Sequence, residues 1–218
     1  MYTFVVLFDW DGVVIDSREQ HRTSWDLIAE RRGLPLPEGH FEKGFGMRNE
    51  QIIPDILGWA SAPDIVQELA EAKEACYREL IRADRIKPLA GIRTLLERLH
   101  AANIPCVIGS STPRANIECA MEITGIKAYF ADVVSGDDVH RGKPDPEVFL
   151  LAAGKAGRTP EDCVVIEDAH VGIEAGRAGG MKVVAVATTH SIESLQGADR
   201  AVENLETVTL ELLASLFS

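Results

Sequence analysis

Short apolar runs recur along the chain, and each ends in small or acidic residues before a stretch of helical periodicity begins. The runs at 4–8, 105–109, 163–166 and 182–186 are rich in Val and Ile and show no polar alternation, the pattern of parallel strands covered on both faces. Residues 129–134 form a fifth, less regular candidate. Between the runs, 92–102, 113–125, 145–156 and 169–179 carry helical spacing, with Pro near two starts and Gly at two ends. Strand, helix, strand, repeated, predicts an α/β fold with a doubly wound, Rossmann-like parallel sheet.

Residues 17–85 break this rhythm. They hold no convincing strand but three helical segments, 19–32, 49–57 and 64–85, the last rich in strong helix formers with charges of both signs. The economical reading is a helical cap inserted after the first strand. Residues 1–16 and 86–218 then form the catalytic core, and 15–17 and 86–91, with Pro88, form the two connections. The segment LETVTLELLASLF, 205–217, reads as a closing amphipathic helix.

Composition narrows the possibilities. The 218 residues suffice for one large domain or a domain with an insert, and 46% hydrophobic with 26% charged residues fits an ordinary globular protein. With 34 acids against 22 Lys and Arg, the net charge of −12 disfavours nucleic acid and anionic membrane as partners. No run approaches the ~18 apolar residues of a membrane span, and the N-terminus lacks a signal-peptide pattern, so a cytoplasmic protein is expected. A monomer is expected as well. Cys76, Cys106, Cys119 and Cys163 stand singly in apolar or helical settings and read as reduced core thiols.

The chemistry is carried by the residues just beyond the strand ends. In FVVLFDWDGVVID, residues 4–16, Asp9 and Asp11 stand two apart at the end of a buried run. The second run ends in Gly109-Ser110-Ser111-Thr112, the third in Glu167-Asp168, and a Gly-Lys-Pro-Asp-Pro stretch places Lys143 ahead of a helix. A single Asp after a strand is ordinarily a cap or turn residue. Several carboxylates converging at one sheet edge are another matter: they repel one another unless a cation neutralises them. A hard divalent ion with oxygen ligands suits such a set, and Mg typically takes a few carboxylates together with substrate phosphate oxygens. Ser110, Ser111 and Lys143 offer the complementary anion-binding half. Together they suit phosphoryl transfer.

The set D-x-D-G-V at Asp9, the hydroxyl at Ser110, Gly-Lys-Pro-x-Pro at Lys143 and Glu167-Asp168 resembles the haloacid dehalogenase superfamily of hydrolases. The resemblance spans nearly the whole chain, including a small helical cap of the β-phosphoglucomutase-like, subfamily I phosphatase branch. It implies that Asp9 is the nucleophile forming an aspartyl-phosphate, and that Asp11 protonates the leaving alcohol and then activates water. Mg would be held by Asp9, by the Asp11 main-chain carbonyl and by Asp168, with Glu167 a ligand or a support. Ser110, Ser111 and Lys143 would hold the phosphoryl group. Dehalogenating relatives lack the second aspartate, so Asp11 argues for phosphate chemistry. In the cap, His21, Arg48 within GFGMRNE, and Lys73 are implied substrate contacts, and Asn116 is a further candidate. The mutase pattern places an arginine three residues after the loop glycine, but counting from Gly46 that position is Asn49. The expected function is therefore Mg-dependent phosphatase action on a small phosphorylated metabolite such as a sugar phosphate. A β-phosphoglucomutase-type hexose phosphomutase is the alternative, and a non-catalytic ligand-binding module a remote third.

Overall fold

The fold is known from a computed structural model, which describes residues 3–218. Six parallel strands form one sheet: β1 (Val5–Phe8), β2 (Cys106–Gly109), β3 (Asp132–Val134), β4 (Cys163–Glu167), β5 (Lys182–Val186) and β6 (Arg200–Val202). Their order is β3-β2-β1-β4-β5-β6, with β1 central and flanked by β2 and β4. Leu7 aligns with Val107 on one side and Val165 on the other, so three apolar strands are in register through the middle of the molecule. The order reverses direction between β1 and β4, the topological switch point at which doubly wound sheets bind ligands.

Alternation along the strands divides the core. Val6, Phe8, Ile108, Val164 and Ile166 face α5 (Ile92–Ala101) and α6 (Arg114–Thr124). Val5, Leu7, Val107, Val165 and Val183 face α7 (Glu147–Lys155) and α8 (His170–Ala178). All four cysteines are buried and free, and burial pushes the Cys106 thiol up to about 12, which keeps it inert.

Between β1 and α5 lie α1 (Arg18–Arg32), α2 (His40–Gly44), α3 (Asn49–Gln51) and α4 (Pro63–Ala83), the helices of the segment expected to form the cap. Trp25, Ile28, Phe41, Ile53, Leu57 and Leu69 gather into an apolar cluster of their own. Tyr77 and Ile81, further along α4, join the core cluster instead, so this one helix serves both layers. The connections to the cap run side by side: Ile15 bridges Pro88, and Leu89 N–H donates to the Val14 carbonyl at 2.9 Å.

The departures from expectation have local causes. The helix expected over 49–57 is α3 followed by a π-helical turn, Ile52–Leu57, because Pro54 has no N–H to give a regular ladder. The expected strand 129–134 shortens to Asp132–Val134, preceded by a 3₁₀ turn at Lys127–Tyr129. The closing segment is not one helix. It breaks into a 3₁₀ turn, Leu205–Thr207, then α9 (Leu210–Ala214), capped by the Thr209 hydroxyl on Leu212 N–H at 3.1 Å, then a second 3₁₀ turn. The edge strand β6 and the five-residue α2 were not anticipated: both are too short for periodicity, and Arg200 and Ala201 are exposed.

Candidate active site

Beyond the carboxyl end of β1 the chain continues its alternation. Trp10 turns inward and is fully buried, edge-on to Phe130, while Asp9 and Asp11 line a cavity between sheet and cap. Asp9 N–H donates to the Ile166 carbonyl at 3.0 Å, which extends the β1–β4 ladder by one rung and brings Asp9 beside the end of β4. Gly12 makes the following turn at φ +82°; a Cβ there would lie 2.1 Å from the Asp168 carboxylate, so only glycine fits.

Asp9, Glu167 and Asp168 present carboxylate oxygens within 4.8 Å of one another, all buried. The one lysine among them is Lys143, whose Nζ lies 2.7 Å from Asp9 Oδ1 and 2.8 Å from Glu167 Oε1, over the Phe149 ring. The other oxygen of Glu167 accepts the N–H groups of Asp168 and Ala169, both at 2.6 Å, so Glu167 is spent on positioning Lys143 and the loop. Gly172 on α8 makes room for it: a Cβ there would sit 1.6 Å from Glu167 Oε1. Gly172→Ala is therefore expected to displace Glu167, strip Lys143 of a partner and cost about 3 kcal/mol, read as a lower urea midpoint.

One lysine does not balance three buried acids. Burial above all raises Asp9 to about 7, with Glu167 adding to it and Lys143 opposing. Burial, then the charges of Glu167 and Asp9, push Asp168 well above the usual carboxylate range, despite a hydrogen bond from the Thr189 hydroxyl. This uncompensated acidity fits a bound divalent cation.

Asp11 is held differently. The hydroxyls of Ser17 and Thr112 donate to it, His21 Nε2 lies 3.3 Å away and the Tyr77 hydroxyl 3.5 Å. Burial opposes ionisation, yet His21 and the two hydroxyls outweigh it and hold Asp11 down at about 2. His21 stacks on Tyr77 with centroids 4.0 Å apart, and its Nδ1 lies 2.8 Å from Lys73 Nζ. An ammonium can only donate, so Nδ1 accepts and the ring proton sits on Nε2, toward Asp11.

Ser110 is almost fully buried at the end of β2, anchored by its N–H on the Val134 carbonyl at 3.0 Å, and with Ser111 it lines the cavity. Arg48, His21 and Lys73 line it too. Arg48, however, turns its guanidinium to the Val139 and His140 carbonyls, at 3.2 and 3.4 Å. Asn116 is not among the lining residues: it is fully buried, its amide oxygen accepting from Arg78 at 2.8 Å and its NH₂ donating to Glu74 at 2.5 Å. Sequence reasoning passed over Ser17, Thr112, Tyr77 and Glu74. Thr112 had a signal, two residues after Ser110 in the same loop; the other three look like ordinary helix and hinge residues.

A sequence model of the haloacid dehalogenase-like hydrolases matches residues 5–180. The chain belongs to this family. It is 34% identical over 206 residues to an Arabidopsis thaliana protein named 5-amino-6-(5-phospho-D-ribitylamino)uracil phosphatase, covering 94% of this chain but 55% of that protein. It is also 34% identical to the β-phosphoglucomutase of Bacillus subtilis, over 95% of this chain and 92% of that one. A solved family IA, variant 3 hydrolase from Entamoeba histolytica superposes with a TM-score of 0.89 at 29% identity, covering 98% and 99% of the two chains. Among the described residues no helix is long and apolar enough to cross a membrane.

Proposed function

We propose that this hydrolase is a Mg-dependent phosphatase of small phosphorylated metabolites, sugar phosphates foremost, acting from the cytoplasm as a monomer. The observation that carries the reading is the meeting of Asp9, Asp168, Glu167 and Lys143 at the switch point, with Asp11 two residues from Asp9. Asp9 attacks phosphorus and becomes the aspartyl-phosphate. Lys143, Ser110 and Ser111 hold the phosphoryl oxygens, and Lys143 opposes the burial that favours the protonated form of Asp9. Asp11 protonates the departing alcohol oxygen, then takes a proton from the water that cleaves the intermediate. With a pKa of about 2 before substrate arrives, Asp11 gains its proton only when the negative charge of the phosphate raises it. The carboxylates of Asp9 and Asp168 and the main-chain carbonyl of Asp11 would hold Mg, which when bound supplies charge to offset the phosphoryl oxygens. The cap, comprising residues 17–85, serves as the lid over residues 1–16 and 86–218 and excludes bulk water.

Hydrolysis is favoured over a phosphomutase reaction because a mutase must grip a second phosphate in the cavity. Asn49 gives its amide to Glu74, and Arg48 is committed to main-chain carbonyls and to Glu50. The test is phosphate release from a panel of phosphate esters, p-nitrophenyl phosphate included, with and without Mg. Release that needs Mg is expected; a silent panel would sink the reading, and interconversion of β-glucose 1-phosphate and glucose 6-phosphate without release would replace it with the mutase.

The acid cluster also predicts a pH-dependent stabilisation by metal. Asp9 titrates near 3.8 when unfolded and about 7 when folded, so between these values the folded chain holds a proton the unfolded chain has lost. Metal-free stability therefore falls as pH rises through this window. Lys143 is protonated in both states there and adds no slope. Mg binds the ionised acids, so its effect on Tm is expected to be several degrees larger at pH 8 than at pH 5. Equal shifts at both values would contradict the assignment.

A further inference from the structure

The cap wall of the cavity carries a carboxylate that the proposed phosphoryl chemistry does not use. Glu74, on α4, is 6% exposed and lines the same cavity as Asp9 and Lys143. Its Oε1 accepts from Asn49 Nδ2 at 2.7 Å and Lys73 Nζ at 2.9 Å, and its Oε2 accepts from Asn116 Nδ2 at 2.5 Å. Arg78, one turn further along α4, takes the Asn116 amide oxygen at 2.8 Å and so fixes which end of that amide faces Glu74. A carboxylate offers about four acceptor sites, and three donors fill three of them. One remains for a ligand.

The cations around Glu74 do not change its message to a substrate. Lys73 is neutralised by Glu74 itself and donates onward to His21. Arg48 is spent on carbonyls and Glu50, and Lys143 on Asp9 and Glu167. Burial works against the Glu74 charge, but the Lys73 ammonium and the hydrogen bond from Asn49 keep its pKa below the usual range, so the group is an anion at neutral pH. Among the described lining residues Lys73, Arg48 and Lys143 are thus already paired; beside them stand the apolar Trp25, Phe45 and Ile52 and the imidazole of His40, whose Nδ1 lies 2.9 Å from the Pro37 carbonyl.

We propose that Glu74 is the specificity-determining residue of this cavity, accepting a hydroxyl of an uncharged leaving group and excluding esters that carry a second phosphate or carboxylate there. The inference rests on the phosphatase reading and deepens it: the substrates are monophosphates of neutral polyols. A hydroxyl fills the open acceptor site, whereas a second anion meets a buried like charge.

The test compares fructose 1-phosphate with fructose 1,6-bisphosphate, which share a sugar and differ in the distal charge. Affinities are measured by calorimetry with Mg on the full chain carrying Asp9→Asn, so that neither ligand turns over, and inorganic phosphate is titrated alongside. The monophosphate is expected to bind at least about tenfold more tightly than the bisphosphate. Adding Glu74→Gln is expected to erase that preference while inorganic phosphate binds as before, and Glu74→Asp to retain it. A purely structural role would weaken both esters together and leave their ratio intact. Should Glu74→Gln not fold, Asn49→Lys, which sets a cation against an intact Glu74, is expected to bring the ratio toward one. No preference in the parent, or a ratio unmoved by these changes, overturns the inference alone. Failure of inorganic phosphate and both esters to bind any variant overturns the phosphatase reading and this inference with it.

Discussion

Asp9→Asn is expected to lower kcat by about 10⁴-fold or more on every phosphate ester. The amide keeps the shape of the side chain but cannot attack phosphorus, and no neighbour substitutes for it. Lys143 and Glu167 are already paired with each other at 2.8 Å, and Asp168 follows β4 rather than β1. The same change removes one of three crowded buried acids, where burial first and repulsion from Glu167 second raise Asp9 to about 7. Metal-free Asp9→Asn should therefore be at least as stable as the parent at pH 7.5 by urea denaturation, and should need a higher Mg concentration for the same stabilisation, since Asp168 and the amide oxygen remain to hold the ion. A variant that is inactive merely because it is misfolded would instead show a lower urea midpoint.

Asp11→Asn is expected to cost about 10²- to 10⁴-fold in kcat, the range of a single acid–base group. Its shape is preserved: an amide oxygen still accepts from Ser17 or Thr112, and the main-chain carbonyl is untouched. Two proton transfers are lost, and they can be separated by the leaving group. A sugar alkoxide needs the proton from Asp11, whereas p-nitrophenolate leaves unaided. With p-nitrophenyl phosphate the variant should release about one equivalent of nitrophenolate rapidly and then stall, because only hydrolysis of the aspartyl-phosphate is impaired. With a sugar phosphate both steps slow and no burst appears. Equal losses on both substrates, with no burst, would remove Asp11 from its acid–base role.

The core of the candidate site was legible in the sequence because the fold does little to disguise it. A parallel strand buried on both faces must be an apolar run, and the loop after it has few reasons to be acidic, so Asp9 and Asp11 after 4–8 and Glu167-Asp168 after 163–166 stand out. Lys143 between Gly142 and Pro144 is marked by its neighbours. The cap side was less legible, and the reason is physical. In EAKEAC, Lys73 and Glu74 look like one more pair of solvated helix charges, yet both are buried once α4 packs on α1 and α6. Their burial is a tertiary fact with no local signature. Asn116 shows the same limit: position on α6 suggests a substrate contact, but Glu74 and Arg78 from the cap occupy both ends of its amide. Arg48 likewise lines the cavity from the turn before α3, while its guanidinium is drawn to the Val139 and His140 carbonyls. Among the secondary elements, the turn at Pro54 and the three-residue β6 fall below the length that periodicity can report.

In the proposed mechanism Asp9 carries the phosphoryl group between the ester and water. This is tested most directly by acid-quenching Asp11→Asn during turnover of p-nitrophenyl phosphate with Mg and mapping the phosphorylated peptide by mass spectrometry. Near-stoichiometric phosphorylation of Asp9 is expected, absent from the Asp9→Asn, Asp11→Asn double variant. Phosphate found on another residue, or steady release with no phosphorylated enzyme at any quench time, would contradict it.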